Sequence, residues 1–325
     1  MHRTLEFSLL ALMFAVVLAS LPAAAQTHNF WTSGASLPNA VQYSTAGVIN
    51  GLIYVVGGYD GSAAVTYNQI YNPLANSWSS GAPLPVATCF GAAAVVKGIL
   101  YIIGGYDCAG GGATNAVWAY NPKTKSWSSK AAMPIARGSI GAAVENNVIY
   151  VVGGNGNNGN FRLTTVEAFN PATNSWTEEA PLLVGKSEPS VGLLKRSVNG
   201  VIIQTIVAAD GYTLSGDTGD NEGYSASANT WSSLTTDPHP RNEACTGALG
   251  AKLFVATGSP DGGSTTTESD VFNIAKNAWT NRAPAPQAVA GAGSATYKGL
   301  LYCFGGGNGT GIGDTVFNYL QIYHP

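Results

Sequence analysis

Six tryptophans recur along the chain at nearly constant spacing. They are Trp31, Trp78, Trp127, Trp176, Trp231 and Trp279, separated by 47, 49, 49, 55 and 48 residues. Apolar runs that end in glycine follow the same period: IYVVGG (53–58), LYIIGG (100–105), IYVVGG (149–154), IVAADG (206–211), LFVATG (253–258) and LYCFGG (301–306). A period of about 50 residues is typical of repeated supersecondary units. The sequence therefore predicts six copies of one structural unit.

Each unit has the pattern of four short β-strands. In the second copy, GAAAVVKG leads into a turn, ILYIIGG is a buried apolar run, AVWAYNP alternates, and KSWSSKAAMP carries the tryptophan. Glycines and Asn-Pro pairs mark the turns, because glycine accepts positive φ and the residue before proline avoids helical geometry. A four-stranded sheet of this size cannot bury both faces alone, so the sheets are expected to pack on one another around an axis.

These motifs resemble the kelch repeat, whose signature is an apolar strand ending in Gly-Gly, then a tyrosine, then a tryptophan. The matching residues in the first three units are Gly57-Gly58, Tyr71 and Trp78; Gly104-Gly105, Tyr120 and Trp127; and Gly153-Gly154, Phe169 and Trp176. The resemblance implies an all-β, six-bladed β-propeller. Unit four departs most, with Asp210-Gly211 in place of the glycine pair, and unit five keeps only Gly258.

The sixth unit lacks its own tryptophan, since VFNYLQIYHP (316–325) ends the chain before one. Near the other end, NFWTSGASLP (29–38) has the same NxW-then-LP pattern as residues 76–85. We therefore expect residues from about 29 to 33 to form the outer strand of the last blade, so that the N-terminal strand closes the ring. Closure would also pair a free strand edge that could otherwise aggregate.

The first 25 residues have the pattern of a secretory signal peptide. Arg3 precedes an apolar run from Leu9 to Leu21, and Ala23-Ala24-Ala25 forms a small-residue cleavage site. The alternative, an uncleaved anchor, is less favoured because a bilayer span needs roughly 20 apolar residues. This predicts a signal peptide over 1–25, a single propeller domain over 26–325 with no membrane span after cleavage, and a secreted or periplasmic location.

The charge pattern excludes one class of partner. Only 10% of the residues are charged, the net charge is −3, and no Lys/Arg cluster follows the amino terminus. Nucleic-acid binding depends on such clusters, so no nucleic-acid partner is expected.

Ligand binding is expected where loops converge at one mouth of the propeller channel. By resemblance to kelch propellers, the loops after the Gly-Gly strands and those entering the inner strands share one face. The predicted ligand-binding residues are Tyr43, Tyr59, Phe90, Tyr106, Asp107, Arg137, Tyr212, Arg241 and Glu243. Aromatic rings and fixed polar groups suit a small carbohydrate or peptide. The alternatives are that the tyrosines and aspartates complete turns, and that the two arginines have the structural role of a recurrent kelch position.

Two glutamates, Glu188 and Glu243, are the candidate catalytic pair because each opens the inner strand of neighbouring units and the two could serve as acid and base. The alternative is two solvated carboxylates. The leading hypothesis is an exported propeller that binds its ligand without turnover. The second is a carbohydrate-active enzyme resembling, by fold alone, a bacterial sialate epimerase or mutarotase. A structural or adhesion protein is the third.

Metal and cysteine chemistry give weaker predictions. Asp217, Asp220 and Glu222 cluster in SGDTGDNEG and could bind calcium, although the spacing is not that of an EF-hand and a solvated loop is the alternative. No other cofactor is expected. Cys89 and Cys108 should share a face and could form a disulfide. Cys245 and Cys303 are interpreted as small buried hydrophobic residues.

Overall fold

The computed structural model of the protein describes residues 28–108, 111–157, 159, 161–311 and 313–325. The predicted signal peptide lies outside these residues. In chain order the strands are β1 (Phe30–Ser33), β2 (Thr45–Ile49), β3 (Leu52–Val56), β4 (Asn68–Asn72), β5 (Ser77–Ser80), β6 (Ala92–Val96), β7 (Ile99–Ile103), β8 (Val117–Asn121), β9 (Ser126–Ser129), β10 (Arg137–Gly138), β11 (Gly141–Glu145), β12 (Val148–Val152), β13 (Asn155–Gly156), β14 (Val166–Asn170), β15 (Ser175–Glu179), β16 (Ser190–Val198), β17 (Val201–Ala209), β18 (Tyr212–Thr213), β19 (Gly216–Asp217), β20 (Asn221–Ser225), β21 (Thr230–Leu234), β22 (Cys245–Leu249), β23 (Lys252–Ala256), β24 (Ser269–Asn273), β25 (Ala278–Asn281), β26 (Gly293–Tyr297), β27 (Leu300–Phe304) and β28 (Leu320–His324).

These strands form six antiparallel four-stranded sheets, which are the blades. From channel to periphery the blades are β2-β3-β4-β5, β6-β7-β8-β9, β11-β12-β14-β15, β16-β17-β20-β21, β22-β23-β24-β25 and β26-β27-β28-β1. The six inner strands contact one another in a closed circle. The fold is therefore the predicted six-bladed β-propeller. Over the described residues the structure has no helix, and so none that could cross a membrane.

Inner strands show why small residues recur near the channel. In β2 and β6 every second residue is buried, which is the pattern of a strand packed on one face. A Cβ added at Gly247 of β22 would lie 2.5 Å from a side-chain carbon of Thr296 in the next blade. Six inner strands can converge on one axis only where such positions carry little or no side chain.

The six repeat tryptophans tie each blade to the one before it. Each indole N–H donates a hydrogen bond to a carbonyl oxygen in the turn after the preceding outer strand. The pairs are Trp31 to Ala283 (2.9 Å), Trp78 to Ala35 (2.8 Å), Trp127 to Ala82 (2.9 Å), Trp176 to Ala131 (2.9 Å), Trp231 to Ala180 (2.8 Å) and Trp279 to Thr235 (2.8 Å). The constant spacing in the sequence thus reflects one repeated contact.

The N-terminal strand closes the ring, as predicted. β1 pairs antiparallel with β28, with Trp31 opposite Tyr323. The pairing begins at Asn29, whose N–H donates to the carbonyl of His324 at 2.8 Å. The ring of Phe30 stacks on that of His324 with centroids 4.4 Å apart. The tryptophan absent from the sixth unit is therefore supplied by the opposite end of the chain.

Blade four replaces an apolar contact by a buried acidic pair. Asp210 occupies the first position of the usual glycine pair, with φ +56° and no exposed surface. Its carboxyl faces that of Asp237, a buried residue at the position of Leu84 and Met133 in earlier units. Burial raises the pKa of Asp210 well above its ordinary value and that of Asp237 to about 6. The pair therefore favours a protonated state in the folded protein.

Both cysteine pairs form disulfides. Cys89 bonds to Cys108 within blade two, with Cα atoms 6.2 Å apart. Cys245 of β22 bonds to Cys303 of β27, with Cα atoms 5.7 Å apart. The interpretation of Cys245 and Cys303 as unpaired hydrophobic residues was wrong, because packing of blade five against blade six brings these two distant strands together.

Candidate ligand-binding site at the channel mouth

One residue from each blade forms a ring at the channel mouth, in the turn before the inner strand. We call it the mouth ring; its members are Tyr43, Phe90, Ser139, Glu188, Glu243 and Gly291. All six have positive φ, between 52° and 67°. Backbone N–H groups donate across blade boundaries, from Tyr43 to Gly291 (2.6 Å), Phe90 to Tyr43 (3.0 Å), Ser139 to Phe90 (2.8 Å), Glu188 to Ser139 (2.7 Å) and Gly291 to Glu243 (2.9 Å). The backbone of the ring is thus held by hydrogen bonds, and its side chains line the channel.

The mouth ring surrounds a cavity of about 370 Å³. Further along the inner strands its wall consists largely of small side chains, including Ala46, Ala93, Ala142, Thr246 and Ser294. This volume lies within the range of about 300–1,000 Å³ that is usual for small-molecule sites. Polar and aromatic groups are concentrated at the mouth, so selectivity for a ligand would arise there.

One side of the mouth is aromatic. The rings of Tyr43 and Phe90 stack with centroids 3.6 Å apart. Tyr106 meets Phe90 edge to face at 5.9 Å, and its hydroxyl donates to the carbonyl of Asn155 at 3.0 Å. Tyr43 is only 5% exposed. Among the described residues its hydroxyl has no partner with hydrogen-bond geometry, although it lies beside the Glu243 carboxyl.

The other side of the mouth carries the two glutamates of the predicted catalytic pair. Burial raises the pKa of Glu188 to about 7, against the opposing effects of the Ser139 hydroxyl and the Arg162 charge. Burial and then the charge of Glu188 raise the pKa of Glu243 well above its ordinary value. The Oε2 atom of Glu243 is buried without a hydrogen-bond partner among the described residues. The structure therefore places Glu188 and Glu243 in one cavity, where each favours its neutral form.

Two charged residues that the sequence analysis did not single out influence this site. The guanidinium of Arg162 lies over the ring of Tyr212, 4.9 Å from its centroid, and its charge lowers the pKa of Glu188. The charge of Asp314, in the corresponding loop of blade six, raises the pKa values of Tyr43 and Glu243. Both residues lie in loops that follow a Gly-Gly strand, and that position in the repeat is the signal that could have identified them.

The two predicted arginines do not face the cavity. The side chains of Arg137 and Arg241 are completely buried and paired with Glu167 and Asp270 of their own blades. Lys186 makes the same kind of contact with an acid of blade four, at 3.4 Å. The residues at this position in the other three blades are Val41, Thr88 and Val289. The geometry matches the structural role of this kelch position, with each cation holding the loop that leads into the mouth ring.

Four other predicted ligand-binding residues also lie outside the cavity wall: Tyr59, Tyr106, Asp107 and Tyr212. Tyr59 is buried against the disulfide of blade two, and its hydroxyl donates to the carbonyl of Gly61 at 2.9 Å. Tyr212 contacts Arg162 and lines a separate pocket. Asp107 is exposed on the loop after the Gly-Gly strand of blade two. Tyr59 and Tyr212 therefore support the loops around the mouth.

The calcium candidates have separate partners. Asp217 accepts a hydrogen bond from Asn242 at 2.7 Å, and Asp220 accepts one from Thr218 at 2.7 Å. Glu222 is the acid paired with Lys186. Calcium binding at these three residues stays a prediction. The contacts with other side chains do not favour it. Among the described residues, the group whose ligand atoms do come within 4.8 Å of one another is Asp237, His239 and Asp270; Asp270 in that group is already paired with Arg241.

Comparison with known proteins identifies the family. The family profile of the KLHDC2/KLHL20/DRC7 Kelch-repeats domain matches residues 26–191, just over half of the chain. The chain therefore belongs to the Kelch-repeat family. The solved structure of YjhT is similar, with a TM-score of 0.73 and 19% sequence identity over 90% of this chain and 97% of that chain. At this identity the likeness shows the fold alone. No curated protein matches the chain.

Proposed function

We propose that this kelch propeller is exported and binds a small carbohydrate or peptide ligand at the mouth ring. The observation that carries the proposal is the placement of a stacked aromatic pair, Tyr43 and Phe90, opposite Glu188 and Glu243 in one cavity. Aromatic faces bind the apolar faces of sugars and side chains, while carboxyl groups select among hydrogen-bonding patterns. The fixed backbone of the mouth ring reduces the entropy lost on binding.

A titration of the mature protein with neutral monosaccharides and short peptides tests ligand binding. Phe90→Ser and Glu243→Gln should each weaken saturable binding by roughly tenfold or more, as expected for central binding residues. Serine is a matched replacement because Ser139 occupies the same ring position with nearly the same φ. Glu178→Gln, on the exposed outer strand of blade three, is the control that should bind normally. Unchanged affinity in both mouth variants, or no ligand in a broad panel, would refute the proposal.

Export is tested separately by expressing the full chain in bacteria and sequencing the amino terminus of the product. We expect a protein outside the cytoplasm that begins at Gln26. A product that retains residues 1–25 in the cytoplasm would contradict this part of the proposal.

A second candidate function is a sugar isomerase of the mutarotase type. It is favoured by one observation: Glu188 has a pKa of about 7 and shares the cavity with a second carboxyl. Groups that titrate near neutral pH are effective general acids and bases. In ring opening, one carboxylate would take the proton of the anomeric hydroxyl while the other carboxyl protonates the ring oxygen. Ring closure on the opposite face reverses both transfers and restores both groups.

Anomer exchange by NMR distinguishes this second function from binding alone. If it operates, neutral reducing sugars should equilibrate faster with the parent protein than without it, and Glu188→Gln or Glu243→Gln should abolish the acceleration. Neutral sugars are the first substrates to assay because two carboxyls at the mouth disfavour an anionic sugar. Saturable binding with no acceleration would leave the binding function and exclude the isomerase.

A further inference from the structure

We propose that the ligand of the mouth ring carries a protonated amine, held between the carboxylates of Glu188 and Glu243 and next to the Tyr43 hydroxyl. This inference rests on the proposed ligand-binding function and specifies the chemistry of the ligand. Either an amino sugar or the amine of a lysine side chain could supply the group. Both sources present the same ammonium group to the site, and the experiment therefore tests each source with its own pair of compounds.

The balance of charge at the mouth favours a cation. Besides the two ring glutamates, Asp217 acts on Glu188, and Asp314 acts on Glu243 and Tyr43. Among the described residues, Arg162 is the cation whose charge acts on Glu188. The nearby cations of blades three to five are completely buried in their own ion pairs and cannot balance the mouth. In the free protein the two glutamates favour their neutral forms, so the charge at the mouth comes from Asp217 and Asp314 against Arg162. A cation adds to this negative charge by favouring ionisation of the glutamates, so positively charged ligands are preferred over anionic ones.

Unsatisfied polar atoms point to a donor-rich group. Glu243 Oε2 and the Tyr43 hydroxyl oxygen are both buried, and the two side chains lie beside each other, but among the described residues neither atom has a partner with hydrogen-bond geometry. Tyr43 is more than nine-tenths buried, so bulk water cannot readily replace the missing partner. An ammonium group supplies three donors and no acceptor, which matches two carboxylates and a hydroxyl oxygen. Buried polar atoms left without partners are costly, and this group would satisfy them.

The aromatic side of the mouth is compatible with the same ligand. Tyr43 is buried between Phe90 and Gly291, so the half-buried ring of Phe90 is the one that could come within about 6 Å of a cation. A neutral hydroxylated ligand could also stack there, but it would leave the two carboxyls to repel each other when ionised. An ammonium allows both carboxyls to ionise at once, because its charge lies between theirs.

This arrangement predicts proton release on binding. Glu188 is largely protonated at pH 6, since burial raises its pKa to about 7. An ammonium favours the ionised form of both glutamates, and Glu243 also favours its neutral form in the free protein, so binding at pH 6 should release between one and two protons per site. Calorimetry in two buffers of different ionisation enthalpy measures that number directly.

The test uses two matched pairs of probes with the mature protein. The first is glucosamine with N-acetylglucosamine, and the second is Nα-acetyl-lysinamide with Nα-acetyl-norleucinamide. In at least one pair, the amine-bearing member should bind roughly 10–100-fold more tightly, as expected for charge-assisted hydrogen bonds. Glu188→Gln with Glu243→Gln should remove that preference and the proton release, while Glu178→Gln should keep both. A thermal melt of each variant confirms that it is folded.

Each outcome decides the inference. Preference in the first pair identifies an amino sugar, and preference in the second identifies a lysine side chain. Equal binding of both members of every pair overturns the amine inference while leaving ligand binding intact. Failure of every probe to bind also overturns it, and the broad ligand panel then decides the proposed function separately. Preference retained in the double glutamine variant would place the amine elsewhere and refute the assignment.

Discussion

Replacing Glu188 by glutamine should stabilise the protein at alkaline pH, although it removes a residue from the proposed site. Burial raises the pKa of this carboxyl from its ordinary value of 4.5 to about 7. One pKa unit corresponds to 1.36 kcal/mol, so ionised Glu188 costs the folded protein about 3 kcal/mol. Glutamine keeps the shape of the side chain and cannot ionise.

The sign of the effect depends on pH. Below about pH 4 the carboxyl is protonated in both the folded and unfolded chains, so ionisation makes no difference to stability. Between about pH 4.5 and 7 the unfolded chain loses the proton while the folded protein retains it, and stability falls as pH rises. Above pH 7 the full loss is present and constant. The advantage of Glu188→Gln should therefore grow from pH 4.5 to 7 and then level off.

Differential scanning calorimetry from pH 4 to 9 measures this advantage. For a domain of this size, 1 kcal/mol corresponds to about 2 °C, so the variant should melt roughly 6 °C higher than the parent at pH 8 and equally at pH 4. A loss of packing at residue 188 would change the melting temperature equally at all pH values and leave its slope with pH unchanged. Glu178→Gln should follow the parent at every pH. A pH-independent difference between Glu188→Gln and the parent would refute the reasoning.

Three further perturbations test other parts of the structure. Deletion of residues 26–34 should lower the melting temperature and promote association seen by light scattering, because β28 loses its partner strand; a deletion that melts like a chain starting at residue 26 would contradict closure. Replacement of both Cys245 and Cys303 by serine should reduce the free energy of unfolding by about 2–4 kcal/mol in denaturant titrations. A variant as stable as the parent would argue against the disulfide. Asp210→Gly with Asp237→Leu restores residues found in other blades and should stabilise the protein above pH 6, where both acids are unfavourably buried; no gain at pH 8 would show that the pair is not costly.

Repetition is what made the fold predictable. Because one contact recurs in all six blades, the tryptophan that makes it recurs in the sequence at a nearly constant spacing. This spacing predicted the number of blades and the closing strand. The disulfide between Cys245 and Cys303 has no such periodic pattern in the sequence. These cysteines lie on strands of different blades, 58 residues apart, and only the packing of β22 against β27 brings them together.

The candidate site was predictable in part, for a geometric reason. Arg241 and Glu243 are two residues apart in one loop, and their positions in the repeat predicted both at the mouth. The structure directs the arginine into the blade and the glutamate into the channel. Glu243 has a left-handed backbone conformation, and the chain turns at this residue. Arg162 lies in a loop after a Gly-Gly strand, as Asp314 does, but these loops differ in length and sequence between units, and it was therefore missed.

The mouth ring shows how a six-fold backbone produces an asymmetric site. Its backbone conformation is nearly the same in every blade, but blade six contributes Gly291, where an added Cβ would lie 2.4 Å from the ring of Tyr43. The missing side chain gives Tyr43 room to lie across the mouth and stack on Phe90. Its hydroxyl then reaches the side of Glu243, so the aromatic half and the acidic half meet at one atom. Because both halves depend on side chains rather than on backbone, the side chains at this mouth can differ between blades while the repeat preserves the propeller.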